Sequence, residues 1–286
     1  MTKTKKKTRP PRSMPRADCS KIIGNHPSES HPFGILLSAS DGATDTGVPH
    51  RTLAERDGQR ESLIKHAREM LTRHHVSPEA LERDRQRREA MRRLGFDDEL
   101  SRMKRFPTNP STRKGNLAEV VLAEYITAAS DVSLPIYRLR YNPNVDQSMK
   151  GDDVLAFDLD ANPVRIIVGE SKFRNVSSKA VVTEIVEGLV RSHKGGIPAS
   201  LQFVADRLFE TGNPHLGEKV LQCAKLFVLG KLRLDYVGLL MSDLRTATRV
   251  NRHTVNPLRR LAMISFGIDA PDSIIDPCYQ GLEDSP

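Results

Sequence analysis

Four side chains of the right type for phosphoryl chemistry fall within one stretch and the helix before it. Asp152 to Phe173 reads DDVLAFDLDANPVRIIVGESKF. Two apolar runs flank the turn signal Asp160-Ala161-Asn162-Pro163, so the stretch predicts a β-hairpin, and a two-residue loop centred on Ala161 and Asn162 sets Asp153 opposite Glu170. Opposed residues of antiparallel strands share a face, and the period of two adds Lys172 to that face while Ser171 points away. Asp152 projects to the other face in this register, and a one-residue slip at the turn exchanges it with Asp153. Two carboxylates at one end of an apolar hairpin repel unless a cation compensates, and Lys172 neutralises only one of them. A divalent ion completes the balance. Oxygen ligands select a hard cation, Mg²⁺ or Mn²⁺, that lowers the pKa of a water, and a nearby ammonium stabilises charge developing on phosphorus. That chemistry suits phosphodiester hydrolysis.

A third acid supports the reading. Glu119 lies in LAEVVLAEYI among apolar neighbours with few routes to water. Glu124, five residues on, is about 140° further round a helix and faces elsewhere. Taken singly, each residue has an ordinary explanation: Glu119 as a helix acid, Asp153 as a strand-edge residue, Glu170 and Lys172 as a surface ion pair. The order and spacing of all four favour a site.

The elements that must hold these residues follow from periodicity. Helices are expected over Lys114–Ala129, Ser178–His193, Leu201–Phe209 and Leu216–Leu229. Strands are expected over Ile136–Tyr141, Asp153–Asp158, Val164–Glu170, Leu232–Met241 and Leu261–Phe266. Strands bracketed by helices imply an α/β layer arrangement, a mixed sheet flanked by helices. Upstream, helical spacing over Leu53–His74 and the charged run Pro78–Leu94 suggest a small helical N-terminal region. Phe106–Arg113 reads as a linker. The expected division is therefore a basic, mostly disordered tail over 1–50, helices over 51–105, and the α/β domain over 106–286.

The order helix acid, Asp at the head of a strand, then Glu-x-Lys ending the next resembles the PD-(D/E)xK nuclease superfamily with its restriction-endonuclease-like core. More narrowly, RKGNLAEVVLAEYI (Arg113–Ile126), LPIYRLRYNPNVDQSMKGDDVLAFD (Leu134–Asp158) and IIVGESKFR (Ile166–Arg174) are similar to the HamA C-terminal domain family, nuclease effectors of Hachiman anti-phage systems. The similarity is legible only after about residue 100. It implies Glu170 and Lys172 as the Glu-x-Lys pair, Asp153 as the metal-binding Asp and Glu119 as the helix acid. It also implies DNA as substrate and a HamB-like helicase partner that restrains the nuclease. The superfamily Pro before the Asp is here Asp152, which leaves open which aspartate holds the metal.

The 286-residue chain carries a net charge of +8, but residues 1 to 16 hold seven Lys or Arg and no acid, taking +7 and leaving +1 for the rest. The tail could add nonspecific phosphate affinity or be a solvated arm. Basic residues near the site are candidates for gripping the phosphate backbone, Lys150 and Arg174 first, then Arg138, Arg140, Lys179, Arg191 and Lys194. Glu187 and Arg191 read as an i, i+4 pair. No apolar run is long enough to span a membrane and no signal-peptide core follows the basic N-terminus. Cys19, Cys223 and Cys278 sit at no metal-ligand spacing. A soluble, cytoplasmic protein is the expectation. The alternatives are a non-catalytic DNA-binding or sensor subunit of a defence complex, and a repair or Holliday-junction-type nuclease of the same fold.

Overall fold

Strands covered on both faces lose the polar alternation of a half-exposed sheet and become continuous apolar runs. Ile166-Ile167-Val168, Val237 to Met241 and Leu261 to Phe266 are such runs, and the computed structural model, which describes residues 18–194 and 196–283, makes them the centre of one sheet. In chain order the elements are α1 (Pro32–Leu36), β1 (Leu37–Ala43), β2 (Pro49–Glu55), α2 (Arg60–His75), α3 (Pro78–Arg93), α4 (Asp97–Arg102) and α5 (Pro110–Ala129). There follow β3 (Val154–Asp158), β4 (Val164–Phe173), α6 (Lys179–Lys194), α7 (Leu201–Glu210), α8 (Pro214–Val228), β5 (Leu232–Ser242), α9 (Thr246–His253), β6 (Leu261–Gly267) and α10 (Ile275–Tyr279). The sheet order is β1-β2-β6-β5-β4-β3. The four inner strands are parallel and the two edges antiparallel. The architecture is α/β, a six-stranded mixed sheet flanked by helices.

Two helices cover the part of the sheet that matters for chemistry. Pro110 starts α5 at its first turn, where no N–H is needed, and the Asn109 side chain accepts from the N–H groups of Ser111 and Thr112. Leu117, Ala118, Val121 and Leu122 then pack with Ile167, Val154 and Ala156. On the other face, Val182, Ile185, Val186 and Leu189 of α6 pack with Ile166, Val168, Leu155 and Phe157. Each such aliphatic side chain contributes about 1.5 to 3 kcal/mol on full burial, which fixes both helices against β4.

Several expectations need correction. The sheet begins within the segment expected to be disordered: β1 and the start of β2 precede residue 50, and β2 pairs with β6 in its interior. The first strand escaped notice because six of its seven residues are exposed at the edge, so it carries no apolar alternation. The part of the tail over 1–17 lies outside the described residues. Nor is 51–105 a separate helical region, since Leu53 belongs to β2 and α2 packs against α5. The presumed linker contributes the first turn of α5, and Phe106 is buried. The strand expected over Ile136–Tyr141 is instead an irregular stretch ending in a 3₁₀ turn over Arg138–Tyr141. Pairing with β3 stops at the single bridge Ser133–Phe157, and Pro135 has no N–H with which to extend it.

The α2–α5 junction carries a pH-dependent clamp. Glu124 lies 2.7 Å from both Arg73 and His74. Burial raises its carboxyl pKa, but the hydrogen bonds from His74 and Arg73 outweigh this and bring it down to about 2, from an ordinary 4.5. Burial drives His74 toward its neutral form, so Arg73 carries the opposing charge. A depressed carboxyl stabilises the fold fully above its unfolded pKa, and the contribution fades as pH falls from 4.5 through 2. Glu124→Gln is expected to cost on the order of 2 kcal/mol at pH 7, with the gap to wild type closing near pH 2, measured by thermal melts across that range.

Candidate active site

The hairpin register is the one the turn predicts, with Val154 opposite Gly169 and Leu155 opposite Val168, so one further step sets Asp153 beside Glu170. A cleft of about 570 Å³ opens there, between the N-terminal half of α5, the C-terminal half of α6 and the loop 148–152. Glu119, Asp153, Glu170, Lys172, Lys150 and Arg174 all line it. The Lys172 ammonium is paired with Glu170 Oε1.

Both neighbours of the carboxylates are placed for a reason. Glu170 lies against the backbone of α6 at Gly188: a Cβ there would meet the Glu170 carboxyl carbon at 2.6 Å and both its oxygens at 2.9 Å. Asp153 is held by Ser171, whose N–H and hydroxyl donate to Oδ2 at 2.8 and 3.1 Å. Ser171 therefore does not simply point away, because the chain turns as it enters β3 and brings Asp153 round to it. Asp152 also lines the cleft but is buried and already engaged, accepting from the Ser192 hydroxyl at 2.5 Å and the Ser200 N–H at 2.9 Å while its own N–H donates to Ser200 Oγ. Of the two aspartates, Asp153 is the one whose Oδ1 carries no hydrogen bond from a side chain or backbone among the described residues.

Arg138 closes the back of the site. Its Nε lies 3.5 Å from Glu119 and its Nη1 3.9 Å from Asp153, and the guanidinium also donates to the carbonyls of Met149, at 3.0 Å, and Asp152. It is mostly buried, so it grips the loop and the acids rather than a ligand. Arg140 donates to the Arg73 carbonyl and stacks over Tyr137, away from the cleft. Arg174 reaches the cleft but is paired with Glu184 at 3.0 Å. Lys150 is exposed at the rim. Arg191 lines the cleft and forms no ion pair with Glu187 among the described residues; its charge instead reaches Glu170. Lys179 and Lys194 are not part of the lining.

The acids of the site crowd one another. Burial pushes the Glu119 carboxyl up to about 8, Arg138 opposing and Asp153 and Glu170 adding to the rise. Burial and Asp153 likewise raise Glu170, against Lys172 and Arg191. Among the described residues no three His, Cys, Asp or Glu are assembled as a ready metal cage. Mg²⁺ is commonly held by one or two carboxylates with several waters. Asp153 and Glu170 fit such a donor set, and added positive charge would oppose the rise at Glu170.

Comparison with known proteins decides the family. The HamA family model matches residues 35–280. The chain belongs to the HamA family. It is also 33% identical over 264 residues to the Hachiman protein HamA of Bacillus cereus, covering 92% of this chain and 94% of that one. The HamA match opens two residues before β1 and closes just past α10, so it takes in the entire six-stranded sheet, including the N-terminal strands β1 and β2. Among the described residues of this HamA family member, no helix is long and apolar enough to cross a membrane.

Proposed function

We propose that this chain is a metal-dependent DNA nuclease with a PD-(D/E)xK core, the effector of a Hachiman-type anti-phage system, restrained by a HamB-like helicase. The observation that carries the reading is the convergence of Asp153, Glu170, Lys172 and Glu119, from α5 and both strands of the hairpin, on one open cleft. Family membership and the name of the Bacillus cereus relative supply the defence setting.

Asp153 and Glu170 would hold Mg²⁺ or Mn²⁺, which when bound supplies charge neutralisation at the scissile phosphate and a more acidic water. The chain's own residues do the rest. Ser171 fixes the Asp153 carboxylate, and Gly188 lets Glu170 lie flat against α6. Lys172, once a phosphate competes with Glu170 for its ammonium, stabilises the extra negative charge that forms on the phosphoryl oxygens. Water's oxygen bonds to phosphorus as its proton passes to solvent, and the departing oxygen leaves with the electron pair of the broken P–O bond and takes up a proton from solvent. Lys150 and Arg191 at the rim position the backbone without reading sequence.

Plasmid DNA incubated with Mg²⁺, the chain and its helicase partner tests this. Wild type is expected to degrade it, and Glu170→Ala and Lys172→Ala are each expected to lose at least about a hundredfold in rate while keeping the wild-type melt. Chelation should stop cutting. Equal cutting by wild type and both variants removes the assignment.

A further inference from the structure

A second charged assembly lies at the other end of the sheet. Asp235, on β5, is fully buried and is met by three guanidiniums: Arg165 of β4 at 2.7 Å, Arg233 of β5 at 2.8 Å, and Arg260, just before β6. One carboxylate cannot balance three cations. The second donors of these arginines go to main-chain carbonyls, which bring no charge: Arg165 to Ile22, and Arg233 and Arg260 to Lys21. The Nη1 group of each donates to no acceptor among the described residues. Arg233 and Arg260 remain about one-third exposed. The one acid on the adjoining segment, Asp18, is already paired with Lys21.

The parallel strands make this location definite. Arg165 and Arg233 are register partners at the starts of β4 and β5, whereas Glu170 and Lys172 lie toward the end of β4. Five residue steps along β4 separate Arg165 from Glu170, about 17 Å at roughly 3.3 Å per step. By anchoring the carbonyls of Lys21 and Ile22, the arginines also fix where the N-terminal segment meets the body, and the sixteen residues that open the chain contain seven Lys or Arg and no acid. Surplus guanidinium donors match a polyanion in both sign and donor type. Arginine forks favour phosphate.

We propose that the Arg165–Arg233–Arg260 cluster is a second binding site for the phosphate backbone of DNA, remote from the cleft. This rests on the nuclease reading for its biological purpose, but not for its test, which uses binding alone. The full chain is titrated into a labelled 30-base-pair duplex in EDTA, so that no cutting occurs, at several salt concentrations. Arg233→Gln/Arg260→Gln is expected to weaken binding about tenfold at 0.1 M salt. It should also flatten the slope of log affinity against log salt by about 2, as expected for two lost phosphate contacts. If the double variant loses the wild-type melt, Lys21→Glu/Lys231→Glu, both exposed, carries the same readout. Unchanged affinity and slope in a folded variant overturn the proposal, including the case in which only binding of a partner protein is lost. Failure of the nuclease assay with this binding loss intact would sink the nuclease reading alone.

Discussion

Replacing Gly188 with Ala is expected to slow DNA cleavage about a hundredfold while leaving the melting temperature unchanged or slightly raised. No reacting atom is removed. The added methyl would stand 2.6 to 2.9 Å from the Glu170 carboxyl group, closer than any real contact, so the carboxylate must swing away. That movement is cheap for folding, because the end of a long side chain is what yields. Helix α6 gains as well, since Ala is favoured over Gly in a helix interior by about 1 kcal/mol. For catalysis the same shift is expensive: a misplacement of about 1 Å at a reacting group can cost a hundredfold. Stability and activity should therefore part company in one variant, read by a thermal melt and a plasmid assay on the same preparation. A Gly188→Ala chain that cuts at the wild-type rate would show that Glu170 need not lie where the structure has it.

Arg138→Ala should fail in the opposite manner, losing stability and activity together. Arg138 is the cation beside Glu119, it lies near Asp153, and it holds the carbonyls of Met149 and Asp152. Its removal leaves two carbonyls without their donor and takes a buried cation from beside Asp153, a loss of about 3 kcal/mol. Arg138→Lys keeps the charge but not the fork, so it should recover only part of this. The pH dependence supplies a signature. With its pKa raised by burial to about 8 from an ordinary 4.5, Glu119 keeps a proton in the folded state that the unfolded chain releases. Its contribution is therefore greatest below 4.5 and declines as pH rises through 8. Because Arg138 opposes that rise, its loss should push the decline beyond pH 8, visible in melts between pH 5 and 9 under chelating conditions. An Arg138→Ala chain with the wild-type melting profile would remove the positioning role.

The contrast between these residues and the ones read from the sequence is physical. Asp153, Glu170 and Lys172 were legible because a short turn and a period of two fix their relation within twenty residues of chain. Glu119 was legible because an acid among apolar neighbours has to find a partner. Gly188 and Arg138 gave no such signal. Gly188 matters only because Glu170 lies against it, and Arg138, counted with the basic residues near the site, acts from inside through loop carbonyls and acids.

What the sequence determined by itself was local: the hairpin and its register, the apolar strands β5 and β6, the helices α5 to α8 to within a few residues, and the similarity of three stretches to the HamA family. Turn chemistry and side-chain periodicity act over a few residues, so they can be read in order along the chain. The tertiary structure decided what depends on distant partners. It drew the weakly patterned β1 and β2 into the sheet that holds β6, more than 200 residues away, engaged both carboxylate oxygens of Asp152 while leaving Asp153 Oδ1 open, and gathered three arginines on Asp235. In each case the deciding term is a contact or hydrogen bond between segments, which exists only once the chain has closed on itself.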